Sequence, residues 1–367
     1  MIAIAIVATL ILAFGNGAND NSKGVATLAG AKTITLDRAL VYAAVATLLG
    51  SLTAVVLATG LIARFSGKGL VDAELVGAPT FLACVGVAAA CTVLLATRLA
   101  MPISTTHSLV GAITGVGLSA HALHVSKIIS AFFVPLLVAP LAALVLAAGA
   151  YVVFRWGRAR MGVTSRTCVC VEREYHPINI SADGTAIVAA TGLKLGHDDV
   201  AACVQRYEGR VAGVNAQAVL DRAHMFTAGA ISFARGLNDT PKMAALMVAA
   251  GALATGWADV AVGVAIAAGG LLAVRRVART MSYRITGMND GQAFSANLVS
   301  ALLIIVASRF GMPVSTTHVS CGSLFGIGLV NRQARMQVIR QVVLAWVTTL
   351  PAAAAIGWLC WRIMSSG

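Results

Sequence analysis

Charge is scarce in this chain, and acidic charge scarcest of all. Of 367 residues only 11% are Asp, Glu, Lys or Arg, and 14 acidic residues stand against 27 basic ones. A soluble domain needs more charge than that to cover its surface, so a water-soluble fold is excluded. The seven cysteines are scattered, with Cys84, Cys91, Cys321 and Cys360 in apolar runs and Cys168, Cys170 and Cys203 in a polar middle. That spacing is no disulfide framework. No HExxH, GxSxG or P-loop run occurs, and no arranged nucleophile–base–acid set is visible, so neither an enzyme nor a cofactor is expected. The apolar start lacks a basic flank and a small-residue cleavage site. It therefore reads as a retained first membrane segment, not a signal peptide.

What is present is hydrophobic sequence, 58% of the chain. Apolar runs cover residues 2–14, 39–62, 78–97, 104–120 and 128–154, then 223–250, 252–274, 293–308, 314–330 and 338–361. Each is near the roughly 20 residues that cross a hydrocarbon core. The expected fold is an all-α polytopic membrane protein of about 10–12 segments. Residues 155–222 differ: they carry nine Lys or Arg against seven Asp or Glu, with short alternating stretches that predict small strands. The expected organisation is membrane repeat 1 over 1–154, an inter-repeat domain with some β structure over 155–222, and membrane repeat 2 over 223–367.

The repeats are read from two pairs of motifs. Gly17-Ala18-Asn19-Asp20-Asn21-Ser22-Lys23 is echoed by Gly236-Leu237-Asn238-Asp239-Thr240-Pro241-Lys242, an offset of 219 residues. Pro102-Ile103-Ser104-Thr105-Thr106-His107 is echoed by Pro313-Val314-Ser315-Thr316-Thr317-His318, an offset of 211. Order and spacing are kept, which marks structural repeats. Five segments per half is an odd number, so the second copy inserts upside down. With the central domain in the cytoplasm, Lys32, Arg38, Arg98, Arg275, Arg276, Arg279, Arg284, Arg332, Arg335 and Arg340 all lie inside. Both termini then lie outside. The formal net charge of +13 follows from this cytoplasmic bias, and no nucleic acid is expected as partner.

The motifs carry chemistry that a membrane interior does not tolerate without purpose. Pro-x-Ser-Thr-Thr-His places hydroxyls and free N–H groups at a helix N-terminus, which attracts a tetrahedral oxyanion. Ser104, Thr105, Thr106, Ser315, Thr316 and Thr317 are therefore candidate anion ligands, joined by Lys23 and Lys242. Asp20 and Asp239 suit a cation or a proton, and Asn19 and Asn238 add neutral oxygens. Glycines beside these residues predict broken helices at both copies. His107 and His318 are candidate proton relays, with a capped structural role as the alternative. Cys168, Cys170, His176 and Cys203 form a weak metal pattern that simple packing explains as well.

These residues resemble the PiT family of inorganic phosphate transporters, which also includes sulfate permeases. The likeness lies in both Gly-x-Asn-Asp segments and both Pro-[Ile/Val]-Ser-Thr-Thr-His segments, and it spans both halves. It implies a cation-coupled symporter in a plasma or inner membrane, with phosphate, or sulfate as the alternative, bound where the repeats meet. A homodimer is a candidate assembly, and the lipid bilayer is the surrounding partner. Animal members resembling this sequence carry Glu where Thr47 and Asn297 stand, and Asn where Lys23 and Lys242 stand. A more positive site has less need of bound Na⁺, so the expected coupling ion is H⁺, with Na⁺ as the alternative.

Overall fold

A computed structural model of the chain describes residues 1–30, 33–180, 186–199, 213–280 and 288–365. They fall into two compact units, Met1–Tyr151 with His224–Gly367, and Val152–Ala223. Helices α1 (Ile2–Asp20), α2 (Ala26–Gly30), α3 (Leu36–Leu57), α4 (Thr59–Phe65), α5 (Pro79–Arg98), α6 (Thr105–Ser119) and α7 (Val125–Arg160) come first. After the strands follow α8 (Ala216–Ala249), α9 (Thr255–Leu272), α10 (Arg275–Thr280), α11 (Asp290–Arg309), α12 (Thr316–Val330) and α13 (Met336–Ser365).

Among the described residues seven helices are long and apolar enough to cross a membrane: α1, α3, α5, α7, α9, α11 and α13 from Ile339 onward. Helix α8 has 34 residues but carries Arg235, Asp239 and Lys242 in its middle. Helices α6 and α12 have 15 residues each, about 22 Å at 1.5 Å per residue, short of the roughly 30 Å core. Outward side chains such as Val56, Leu137, Val347 and Leu272 are exposed and apolar, as a lipid-facing surface requires.

The halves exchange partners in the larger unit. Helix α1 packs on α9, the second long helix of the other half, and α3 packs on α9 as well. Close approach needs glycine here. A Cβ on Gly17 would stand 1.9 Å from the Ile266 carbonyl oxygen in α9, and one on Gly236 2.0 Å from the Thr47 carbonyl oxygen in α3. Helix α6 lies on α13, and α12 approaches α7 through Gly326 and Leu144. Each short helix is therefore backed by the last long helix of the other half.

The helix breaks differ from the sequence expectation. The first Asn-Asp segment does end a helix: α1 stops at Asp20 and turns follow to Val25. The second does not, because α8 runs unbroken from Ala216 to Ala249 with Pro241 inside it. The residues that follow each segment account for part of the difference. After Asp20 come Asn21, Ser22 and Gly24, residues that compete with or loosen a helix. After Pro241 come Met243, Ala244, Ala245, Leu246 and Met247, which sustain one. The break that both halves share lies elsewhere, in the non-helical segments 101–104 and 312–315 that precede α6 and α12. Ile103, Ser104, Val314 and Ser315 are buried there, and unwound backbone at such depth is stable only inside protein.

The smaller unit contains strands β1 (Thr167–Ile180), β2 (Ala186–Asp199) and β3 (Gly213–Asn215) in the antiparallel order β2-β1-β3. The strands β1 and β2, of 14 residues each, are longer than the small strands that the sequence predicts. Cys203 lies outside the described residues, as do Lys32 and Arg284.

Candidate functional site

The two unwound segments meet the two Asn-Asp segments in a buried, charged cluster. Lys23 Nζ donates to the Ile103 carbonyl oxygen at 2.9 Å and to Thr317 Oγ1 at 2.6 Å, and it pairs with Asp20 Oδ1. Lys242 Nζ donates to the Val314 carbonyl oxygen at 2.6 Å and to Thr106 Oγ1 at 2.8 Å, and it pairs with Asp239 Oδ1 at 3.2 Å. The arrangement is the same twice, and it is crossed. Each lysine binds the unwound carbonyl of its own half and the threonine of the other.

The same lysines resolve the cost of unwinding the backbone in an apolar setting. The Ile103 oxygen accepts from Lys23 and, at 2.8 Å, from Thr317 Oγ1. The Val314 oxygen accepts from Lys242, from Asn238 Nδ2 at 3.2 Å and from Thr106 Oγ1 at 3.3 Å. Asn19 ties the first half together: its Oδ1 accepts from the Ile103 N–H at 3.1 Å, and its Nδ2 donates to the Met101 carbonyl oxygen at 2.9 Å. Thr316 Oγ1 donates to Asp239 Oδ2 at 3.3 Å, and Asn16 Nδ2 donates to Thr105 Oγ1 at 2.8 Å.

Of the residues expected to face an anion, the four threonines and two lysines converge here. Ser104 and Ser315 do something else. Each caps its helix, accepting from the His107 or His318 N–H at 3.2 Å, and each Oγ also holds the Nδ1 of that histidine. The two imidazole rings stack with centroids 4.3 Å apart, and His318 stacks in turn on Trp346. They meet by their faces, an arrangement without a ring-to-ring hydrogen bond.

Sequence reasoning missed Arg235, Asn16 and Asn21 as site residues. Arg235 is 3% exposed, and its Nη2 donates to Thr47 Oγ1 at 2.8 Å and Asn21 Oδ1 at 3.2 Å. Asn21 is fixed by its own Nδ2, which donates to the Leu40 and Gly270 carbonyl oxygens. The signal was available: the 219-residue offset that pairs the lysines also pairs Arg235 with Asn16. With Arg235 included, three cationic side chains share the site with two carboxylates. Such an excess is costly inside a membrane unless an anion comes to it.

A multi-helix membrane protein with a charged, anion-suited site closed between duplicated motifs is therefore the class that fold and site define. The comparisons agree. The model of the phosphate transporter family matches residues 16–357. The chain belongs to that family, whose members are transporters and not enzymes. It is 26% identical to a Thermococcus kodakarensis protein provisionally named a phosphate permease, over 98% of this chain and 97% of that one. It is 28% identical to a Mycobacterium bovis protein provisionally named a low-affinity inorganic phosphate transporter, over 97% of this chain and 76% of that one. A solved structure titled the sodium-dependent phosphate transporter shares the fold, with a TM-score of 0.75 at 20% identity, covering 100% of this chain and 99% of that one.

Proposed function

We propose that the chain is a secondary active symporter that moves inorganic phosphate across the plasma or inner membrane with a coupled cation, H⁺. The observation that carries this is the crossed pair of lysines, Lys23 on Thr317 and Lys242 on Thr106, between unwound carbonyls of opposite halves. Breaking those contacts frees two cations and two hydroxyls at once, which an oxyanion replaces with its own oxygens. Thr105, Thr106, Thr316, Thr317, Lys23 and Lys242 are the substrate ligands in this reading. Ser104 and Ser315 serve by holding the two helix N-termini. The halves act as inverted repeats about the site, with residues 155–222 cytoplasmic, both termini outside and a homodimer as the assembly.

Asn19, Asp20, Asn238 and Asp239 form the coupling set in this reading, and its two acids differ in their contacts. Asp239 has partners on both oxygens, Lys242 and Asn238 on Oδ1 and Thr316 and Asn16 on Oδ2. Asp20 Oδ2 is buried with no hydrogen-bond partner among the described residues. We assign the coupled proton to Asp20, with His107 and His318 on its route. The test is labelled phosphate uptake into proteoliposomes under an imposed pH gradient without Na⁺. Uptake is expected, unaffected by excess sulfate, and lost in Asp20→Asn. Uptake absent until Na⁺ is added would instead support Na⁺ coupling, the reading favoured by the sodium dependence of the structural neighbour. Competition by sulfate would move the substrate to that anion.

A further inference from the structure

We infer that Arg235 is a built-in cation: its guanidinium occupies the place where a mobile cation would otherwise balance the bound anion. The inference rests on the anion-transport reading and adds a role for a residue outside both motifs' shared pattern.

The two halves carry the same residues at most positions of the Asn-Asp segment, including Gly17 and Gly236, Asn19 and Asn238, Asp20 and Asp239, and Lys23 and Lys242. At the position before the glycine the halves part, with neutral Asn16 in one and Arg235 in the other. Asn16 stays in the site, donating to Thr105 and Asp239. Arg235 reaches across to the first half and rests on two neutral oxygens, Asn21 Oδ1 and Thr47 Oγ1. A side-chain amide oxygen and a hydroxyl are ligands of the kind that hold hard cations.

The rest of the guanidinium is uncommitted. Nε and Nη1 are buried and have no hydrogen-bond partner among the described residues. Buried guanidinium groups are ordinarily satisfied in full, because each unpaired donor at such depth is costly. The two free donors sit on separate edges of a fixed cation, and each can meet an oxygen of an incoming oxyanion. Arg235 therefore supplies charge that never leaves with the substrate, and the transport cycle needs one cation fewer.

The experiment measures phosphate binding to purified protein in detergent, for parent and Arg235→Ala, with and without added NaCl or guanidinium chloride at matched ionic strength. The parent is expected to bind phosphate alike in all three conditions. Arg235→Ala, eluting as the parent does, is expected to bind at least ten-fold more weakly, with binding recovered several-fold by Na⁺ or guanidinium and not by choline. Unchanged affinity in the variant overturns the inference, and so does a loss that no small cation recovers, because a merely structural arginine gives that result. Should Arg235→Ala fail to fold, Arg235→Lys decides: it keeps the charge, so binding within a few-fold of the parent and without cation stimulation is expected. Loss of binding in that variant, or stimulation by Na⁺, overturns the inference. A parent that binds neither phosphate nor sulfate overturns the transport reading and this inference together, whereas a binding parent with an indifferent variant overturns this inference alone.

Discussion

The first Asn-Asp segment ends a helix and the second lies inside one, yet both deliver a lysine to the same kind of place. Lys23 sits in a turn two residues beyond the C-cap of α1, while Lys242 follows a proline within α8. Both reach an unwound carbonyl and a threonine of the opposite half. The comparison teaches that what the duplication preserves is a contact pattern, not a backbone conformation. What it relaxes is the support around that pattern, with Asn16 against Arg235 and Asn21 against Thr240. Thr240 Oγ1 donates to Ser51 Oγ at 2.7 Å and so binds α8 to α3, whereas Asn21 spends its side chain on carbonyls and on Arg235.

The largest expected effect tests whether the two lysines are equivalent. Removing Lys23 takes from Asp20 the one basic hydrogen-bond partner it has among the described residues, where Oδ2 already has none. Removing Lys242 leaves Asp239 with Asn16, Asn238 and Thr316. An uncompensated buried charge costs about 3–5 kcal/mol, or roughly 100-fold or more in an equilibrium. Lys23→Met and Lys242→Met are each expected to abolish uptake, and Lys23→Met to lower thermal stability in detergent the more. Equal melting shifts would show that the first half's carboxylate is better supported than its contacts indicate. Adding Asp20→Asn to Lys23→Met should recover stability without recovering uptake.

A smaller effect tests whether the two cross-half packings are alike. Ala at Gly17 or Gly236 would press a Cβ against a backbone carbonyl oxygen that has nowhere to go, Ile266 in one case and Thr47 in the other. Overpacking of that kind costs about 1–3 kcal/mol. Gly17→Ala and Gly236→Ala are expected to destabilise comparably, read as the midpoint of thermal unfolding. The Gly236 variant should also weaken phosphate binding, because α3 carries the Thr47 hydroxyl that holds Arg235. A stability change in one variant only would break the equivalence.

Much of this was legible in the sequence, and the limits have physical causes. Hydropathy located the long helices because twenty apolar residues in a row have few other uses. The Ser-Thr-Thr-His segments announced helix starts, and α6 and α12 do begin at Thr105 and Thr316. Where neighbours decide, the pattern was silent. Pro241 argues locally for a break, but tight packing of α8 on α3 at Gly236 and Thr240 holds the helix together. Arg235 in an apolar run has no local signature of its role, since its partners Asn21 and Thr47 lie 214 and 188 residues away. Only the duplication offset singles it out, as the charged member of a pair whose other member is neutral.

The smallest expected effect concerns the serines, where the halves agree most closely. Ser104 and Ser315 have nearly the same backbone angles, accept from the same third residue at the same 3.2 Å, and hold the same histidine nitrogen. A side chain occupied in that way has little left for a substrate. Losing an N-cap costs about 1 kcal/mol of local stability. Ser104→Ala and Ser315→Ala are therefore expected to keep uptake within about three-fold of the parent, since roughly 1.4 kcal/mol makes a factor of ten. Thr106→Val and Thr317→Val, which strip the lysines of their cross-half partners, should fall well below that. Uptake lost equally in the serine and threonine variants would mean that the caps open during transport and that the serine hydroxyls turn to the anion. The difference between the two pairs separates residues that hold the helix ends from residues that the substrate displaces.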